Sequence, residues 1–199
     1  MHYALQSRFC VANASSLLRN LALELIRIAN DIRLMSSGPI AGLAEIEIPA
    51  VHAGSSIMPG KVNPSLAESL NMVCFNVVGN DLSVALAVQA GQFELNVMLP
   101  VMVKCVLDSI DMLKNILPVF AENMIDGLHA NKEKLEAYIE KSPVLVTLLE
   151  PYIGYMKAAE LYKEALKTNA GIRELVVNKG LLSKEKVDKI LSKKNVLSI

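Results

Sequence analysis

Six large apolar residues, Leu18, Leu21, Leu25, Ile28, Ile32 and Met35, recur at spacings of 3, 4, 3, 4 and 3. A repeat averaging 3.5 residues is the seam of a long α-helix packed nearly parallel to others, as in a bundle or coiled coil. The spacing therefore predicts one helix from about residue 4 to residue 35, with Arg19, Glu24, Arg27 and Asp31 off the seam. Ser36-Ser37-Gly38-Pro39 ends it, because glycine suits the C-terminal turn and proline cannot continue the ladder.

A second helix runs from Leu66 to Val88 and is apolar nearly all round, so it needs neighbours on every side, other subunits included. Asn63-Pro64 reads as its start, with asparagine as N-cap and proline at the first helical position, and Gly79 reads as a site of close backbone approach. Ala90-Gly91-Gln92 breaks this helix, and Pro100 opens a third, with Val103, Val106, Leu107, Ile110, Leu113, Leu117 and Phe120 in helical period. Pro118 should kink the third helix and Gly127 close it. Between the first and second helices, residues 40–63 read as a loop with a short apolar piece at 45–49.

Composition agrees with this pattern. The chain is 52% hydrophobic but only 5% aromatic and has no tryptophan, so its core is built largely from good helix formers. The expected fold class is all-α, with long helices of a central bundle in residues 1–126 and a small helical domain in 127–199. After Gly127 the helices shorten, charges become denser and turns appear at Ser142-Pro143, Glu150-Pro151, Asn169-Ala170-Gly171 and Lys179-Gly180. The last two segments, 172–178 and 183–191, form a helix-turn-helix-like pair with a capped start at Ser183.

Twenty basic residues balance twenty acidic ones, so no general basic field for nucleic acid or an anionic membrane exists. The terminal lysines are interleaved with Glu185 and Asp188, which reads as a solvated helical face. No uncharged apolar run reaches the ~18 residues of a membrane span. Cys10, Cys74 and Cys105 form no CxxC pair and sit in apolar patterns, which points to buried thiols in a reducing cytoplasm. His2, His52 and His129 have no metal-ligand spacing and read as structural or exposed, so no metal site is expected.

The stretch from Gly54 to Pro64, Gly-Ser-Ser-Ile-Met-Pro-Gly-Lys-Val-Asn-Pro, carries the chemistry. A surface loop could use these residues merely for turns. Its end, however, meets the start of a buried helix, whose free amides and positive dipole end attract an anion. Lys61 adds a full charge at that pole, and the glycines let Ser55 and Ser56 fold over it.

That stretch resembles the signature loop GSSxMPxKxNP of the aspartase/fumarase superfamily. The resemblance extends along nearly the whole chain, through Ile28-Ala29-Asn30-Asp31-Ile32-Arg33, Ser37-Gly38-Pro39, Gly79-Asn80-Asp81, Phe93-Glu94-Leu95-Asn96-Val97 and Tyr152-Ile153-Gly154-Tyr155. It points to the class II fumarase and aspartate ammonia-lyase branch. The segments Leu34–Pro39 and Gln89–Met98 look more like aspartases. Two departures stand out. The resemblance covers only the C-terminal portion of such an enzyme, and Ile40 stands where the family commonly has arginine after Ser-Gly-Pro.

The resemblance implies a homotetramer with a core of long helices, active sites each built from three chains, and no organic cofactor. It implies elimination of ammonia from L-aspartate to give fumarate, with the malate/fumarate hydro-lyase reaction as the alternative. By the same match Ser55 is the general base, Lys61 holds the substrate carboxylate, and Ser56, Met58 and Asn63 contact substrate. Glu68 orients a histidine on a segment that this chain lacks, which must come in cis or from a partner. A reading from another class is a non-catalytic helical assembly fragment.

Overall fold

The computed structural model describes residues 2–52, 54, 58 and 60–196. They fold into two compact units, residues 1–130 and 131–199.

The first unit is built on three long helices. A short helix α1 (His2–Gln6) precedes α2 (Phe9–Met35), followed by α3 (Ser65–Gln89) and α4 (Leu99–Phe120). The single helix expected from residue 4 is thus interrupted, and Ser7 Oγ accepts from the Phe9 N–H at 3.4 Å at the break. Serine offers the backbone this alternative to the helical ladder. α4 passes through Pro118 and gives way to a π-helical turn at Ala121–Ile125. Proline supplies no N–H there, and the bonding shifts to the wider ring within three residues. The apolar piece at 45–49 contains a two-residue strand, β1 (Ile46–Glu47), antiparallel to β2 (His129–Ala130).

The three helices share one core. On α2 the deepest residues are Ser15, Ala22, Ala29 and Ile32, with Leu18 and Leu25 packed beside them. Leu21 and Ile28, members of the expected seam, are instead exposed. The buried stripe has the expected repeat but a phase rotated toward small residues, which let helix backbones approach closely. On α3 the buried face includes Ala67, Leu70, Cys74, Val77, Val84 and Ala87. Burial pushes the Cys74 thiol up to about 11. Cys105 is also buried, whereas Cys10 is exposed, contrary to the expectation of three buried thiols.

Polar groups pin the helices in register. Asp81, nearly buried on α3, accepts from Ser15 Oγ at 2.7 Å and from Arg19 Nη1 at 3.0 Å, both on α2. Its neighbour Asn80 donates to Ser109 Oγ on α4 at 3.1 Å. Such a pair adds little net stability, but removing one partner leaves a buried charge uncompensated. Asn96 closes the α3–α4 turn, donating to the Ala87 and Val88 carbonyls and accepting from the Met98 N–H. By length and composition α2 and α3 could each cross a membrane. The Arg19–Asp81 pair and Asn71 stand within them, and such groups are costly among lipid tails.

The second unit comprises α5 (Lys132–Lys141), a 3₁₀ turn (Pro143–Leu145), α6 (Val146–Ile153), α7 (Tyr155–Thr168), α8 (Ile172–Asn178), α9 (Lys184–Ile190) and α10 (Lys193–Val196). Leu149, Leu161, Ile172, Val176, Val187 and Leu191 form its centre. Asn131 and Ser183 cap α5 and α9 through their side chains, and Asn169 ends α7 in the left-handed conformation. Arg173 bonds Glu140 and Asp188 across helices.

Candidate functional site at the start of α3

The approach to the loop is fixed by tertiary contacts. β1 is tied to β2, and a Cβ on Gly127 would lie 2.4 Å from Pro49 Cγ, so only glycine lets the two segments meet. Residues 50–64 then run to the start of α3. Gly54 and Gly60 have φ of +80° and +79°, a conformation that side-chain-bearing residues rarely adopt. Gly54 also lies against Lys61, where a Cβ would be 2.2 Å from the Lys61 carbonyl oxygen. The Lys61 N–H donates to the Met58 carbonyl at 3.2 Å, which closes a tight turn around Gly60.

α3 starts one residue later than its sequence indicates. Pro64 occupies the N-cap position with ψ of 49°, outside the helical range, and Ser65 is the first helical residue. Asn63 is therefore not the cap, and among the described residues no side chain caps this helix. The first-turn amides of a 25-residue helix are left facing the loop, with the positive end of its dipole. Lys61 and Met58 are exposed and Asn63 is half-buried. Ser55 and Ser56, the expected base and its neighbour, lie outside the described residues.

Glu68 sits in the first turn of α3, where a carboxylate suits the dipole. It pairs with Arg33 Nη2 of α2 at 3.7 Å. Arg33 Nη1 in turn donates to Asn30 Oδ1 at 3.1 Å, which also accepts from Asn71 Nδ2 at 2.9 Å. Arg33 belongs to the Asp31-Ile32-Arg33 run, yet its contact with Glu68, 35 residues away, has no local sequence signal. His52 is the other side chain that sequence reasoning passed over. Its Nδ1 accepts from the Gly54 N–H at 3.0 Å, and its Nε2 lies 2.6 Å from Ser65 Oγ.

The structure thus gathers Met58, Lys61, Asn63 and Glu68 within one loop and one helical turn. They can present a cation, an amide and free N–H donors to an anion, with a carboxylate behind them. A separate polar groove of about 370 Å³ between α3 and α4 includes Asn76, Asn80, Lys104, Asp108 and Asp111. It contains none of the loop residues, and its lysine is already paired: the hydrogen bond to Asp108, then that carboxylate's charge, pushes the Lys104 ammonium up. Among the described residues no group of three His, Cys, Asp or Glu side chains could hold a metal ion.

Comparison with known proteins reaches the same region. A lyase family model matches residues 1–79, and a model of the fumarase C C-terminus matches residues 145–198. An aspartate ammonia-lyase of a Bacillus species is 47% identical over 95% of this chain. Another, from Helicobacter pylori, is 44% identical over 98% of it. The crystal structure of the class II fumarase from Schistosoma mansoni superposes with a TM-score of 0.88 at 40% identity, covering 96% of this chain and 40% of the fumarase. The chain spans 40% and 42% of the lengths of the two curated relatives.

Proposed function

We propose, from the premise that this chain belongs to the aspartase/fumarase superfamily and matches its C-terminal portion, that it supplies one wall of an aspartate ammonia-lyase active site. The observation that carries this reading is the exposed Lys61 beside the uncapped start of α3, on a loop with the superfamily's signature residues. The 44–47% identity to aspartate ammonia-lyases favours L-aspartate over malate as substrate.

In this reaction a proton leaves the carbon next to one carboxylate of L-aspartate. That carbon is barely acidic, and the electron pair moves into the carboxylate to give a doubly charged aci-carboxylate. The pair then returns to form the C=C bond, the C–N bond breaks, and ammonia departs from fumarate. Ser55 acts as the base that takes the proton. Serine is a weak base, so its alkoxide depends on N–H donors around it. Lys61 and the first amides of α3 stabilise the developing charge, and a single preorganised donor of this kind is worth about 3 kcal/mol. Ser56, Met58 and Asn63 contact the substrate. Glu68, steadied by Arg33, orients a histidine from a segment beyond this chain. The other walls come from further chains of a homotetramer. The free thiols of Cys74 and Cys105 suit the reducing cytoplasm.

The test is to supply L-aspartate, then L-malate, to the protein completed with its N-terminal portion and follow fumarate absorbance. Fumarate from aspartate is expected. Product from malate alone would make the chain part of a fumarase. No product from either would leave a helical assembly module. Ser55→Ala should reduce turnover to background with assembly intact, and substantial residual turnover would exclude Ser55 as the base.

A further inference from the structure

Residues 50–64 leave a segment anchored at Pro49 and return to a helix anchored at Ser65, so something must set the distance between these two flanks. His52 contacts both. A backbone N–H can only donate, so the bond from Gly54 requires a lone pair on Nδ1. The ring proton of the neutral imidazole is then on Nε2, which donates to Ser65 Oγ. One side chain therefore satisfies an amide at the loop's entry and a hydroxyl on the first residue of α3.

The consequence runs through Gly54. Its backbone sits so close to Lys61 that no side chain would fit between Gly54 and the Lys61 carbonyl. A displacement of Gly54 toward that carbonyl therefore pushes on Lys61. Among the described residues the turn from Met58 to Lys61 has one backbone bond of its own, and no side-chain cap holds the following helix start. We propose that His52 is a positioning residue, a two-ended clasp that fixes Gly54 against Lys61 and holds the lysine at the start of α3. The importance of Lys61 for substrate rests on the function proposed above. The clasp itself does not.

Two variants test it. Glutamine also carries one acceptor and one donor near the places of Nδ1 and Nε2, whereas alanine carries neither. In the completed protein, His52→Ala should lower kcat/KM for aspartate by roughly ten- to a hundredfold, the scale expected when a binding group is displaced by about an ångström. His52→Gln should restore most of that loss. Equal impairment of both variants, or none in alanine, would overturn the proposal. A second readout needs no activity. Trypsin cutting at Lys61–Val62 in the folded 199-residue chain, followed by mass spectrometry, should be about fivefold faster in His52→Ala, the opening expected from losing hydrogen bonds worth about 1 kcal/mol. It should be unchanged in His52→Gln. Absent fumarate with faster cleavage in the alanine variant would remove the lyase reading and keep the clasp; cleavage unchanged in alanine would remove the clasp.

Discussion

In residues 131–199 the largest buried side chains turn onto one another. Leu149, Leu161, Ile172, Val176, Val187 and Leu191 are each nearly or fully buried, and short helices with side-chain caps surround them. In residues 1–130 the three long helices have 22 to 27 residues against at most 14 in the second unit, yet each buries only one stripe. α3 is the clearest case. Opposite its buried face, Met72, Phe75, Leu82 and Leu86 are 57–62% exposed, at spacings of 3, 7 and 4. Gly79 fills the gap at the heptad position between Phe75 and Leu82, and a Cβ there would meet nothing within 4 Å. The close approach expected at Gly79 is therefore not made within this chain. Unit two has exposed apolar groups as well, with Tyr152, Tyr155 and Met156 at the α6–α7 junction and Tyr162 and Leu166 further along α7, but on a helix of 14 residues against the 25 of α3. The short helices close a core by themselves, while α3 keeps a second apolar seam exposed along its length.

Five substitutions can break or sharpen this contrast. The largest effect belongs to the open strip. Leu82→Asp in the completed protein should convert the proposed tetramer to smaller species in sedimentation, because it places a charge in the centre of an apolar seam. An unchanged mass would show that the strip is not the assembly face. Next comes the closed core. Leu161→Ala should cost about 2–5 kcal/mol in denaturant unfolding of unit two, whereas Leu82→Ala in the isolated chain should change stability by no more than about 0.5 kcal/mol. Equal costs would erase the distinction between the two kinds of leucine. The smallest effect concerns the caps. Asn131 accepts from the Lys134 N–H at 3.2 Å. Asn131→Ala should lower stability by about 1 kcal/mol, and Asn63→Ala should not affect helix stability this way, because Asn63 is not at the N-cap position of α3.

Much of the fold was legible because helices are specified locally. Ile172–Asn178 is read from the sequence residue for residue, and the start at Ser183 and the change of texture after Gly127 follow from turn and cap chemistry. The misses share a different cause. Pro64 rather than Asn63 takes the N-cap position because backbone torsions, and not residue preference, decide where a helix begins. The break at Ser7 turns on one side-chain bond. β1 and β2 are two residues each and 83 positions apart, so neither announces itself. At the site, Lys61, Met58, Asn63 and Glu68 stand close in sequence and their grouping was visible. Arg33 and His52 were not, since their roles are contacts across elements and both residue types have many bland uses.

The sequence alone determined that three long helices are present, that the first repeats every 3.5 residues, and which loop carries a cation next to a glycine. Those properties depend on neighbours within a few turns. Tertiary structure decided which stripe of each helix is inside. The expected seam on α2 and the buried one share Leu18, Leu25 and Ile32, but only packing against α3 places Ala22 and Ala29 at the centre and leaves Leu21 and Ile28 outside. An apolar helix has more than one stripe of the right period, and the partner's shape selects among them. The same holds for the loop: its residues supply the chemistry, and the anchors at Pro49, His52 and Ser65 supply its place.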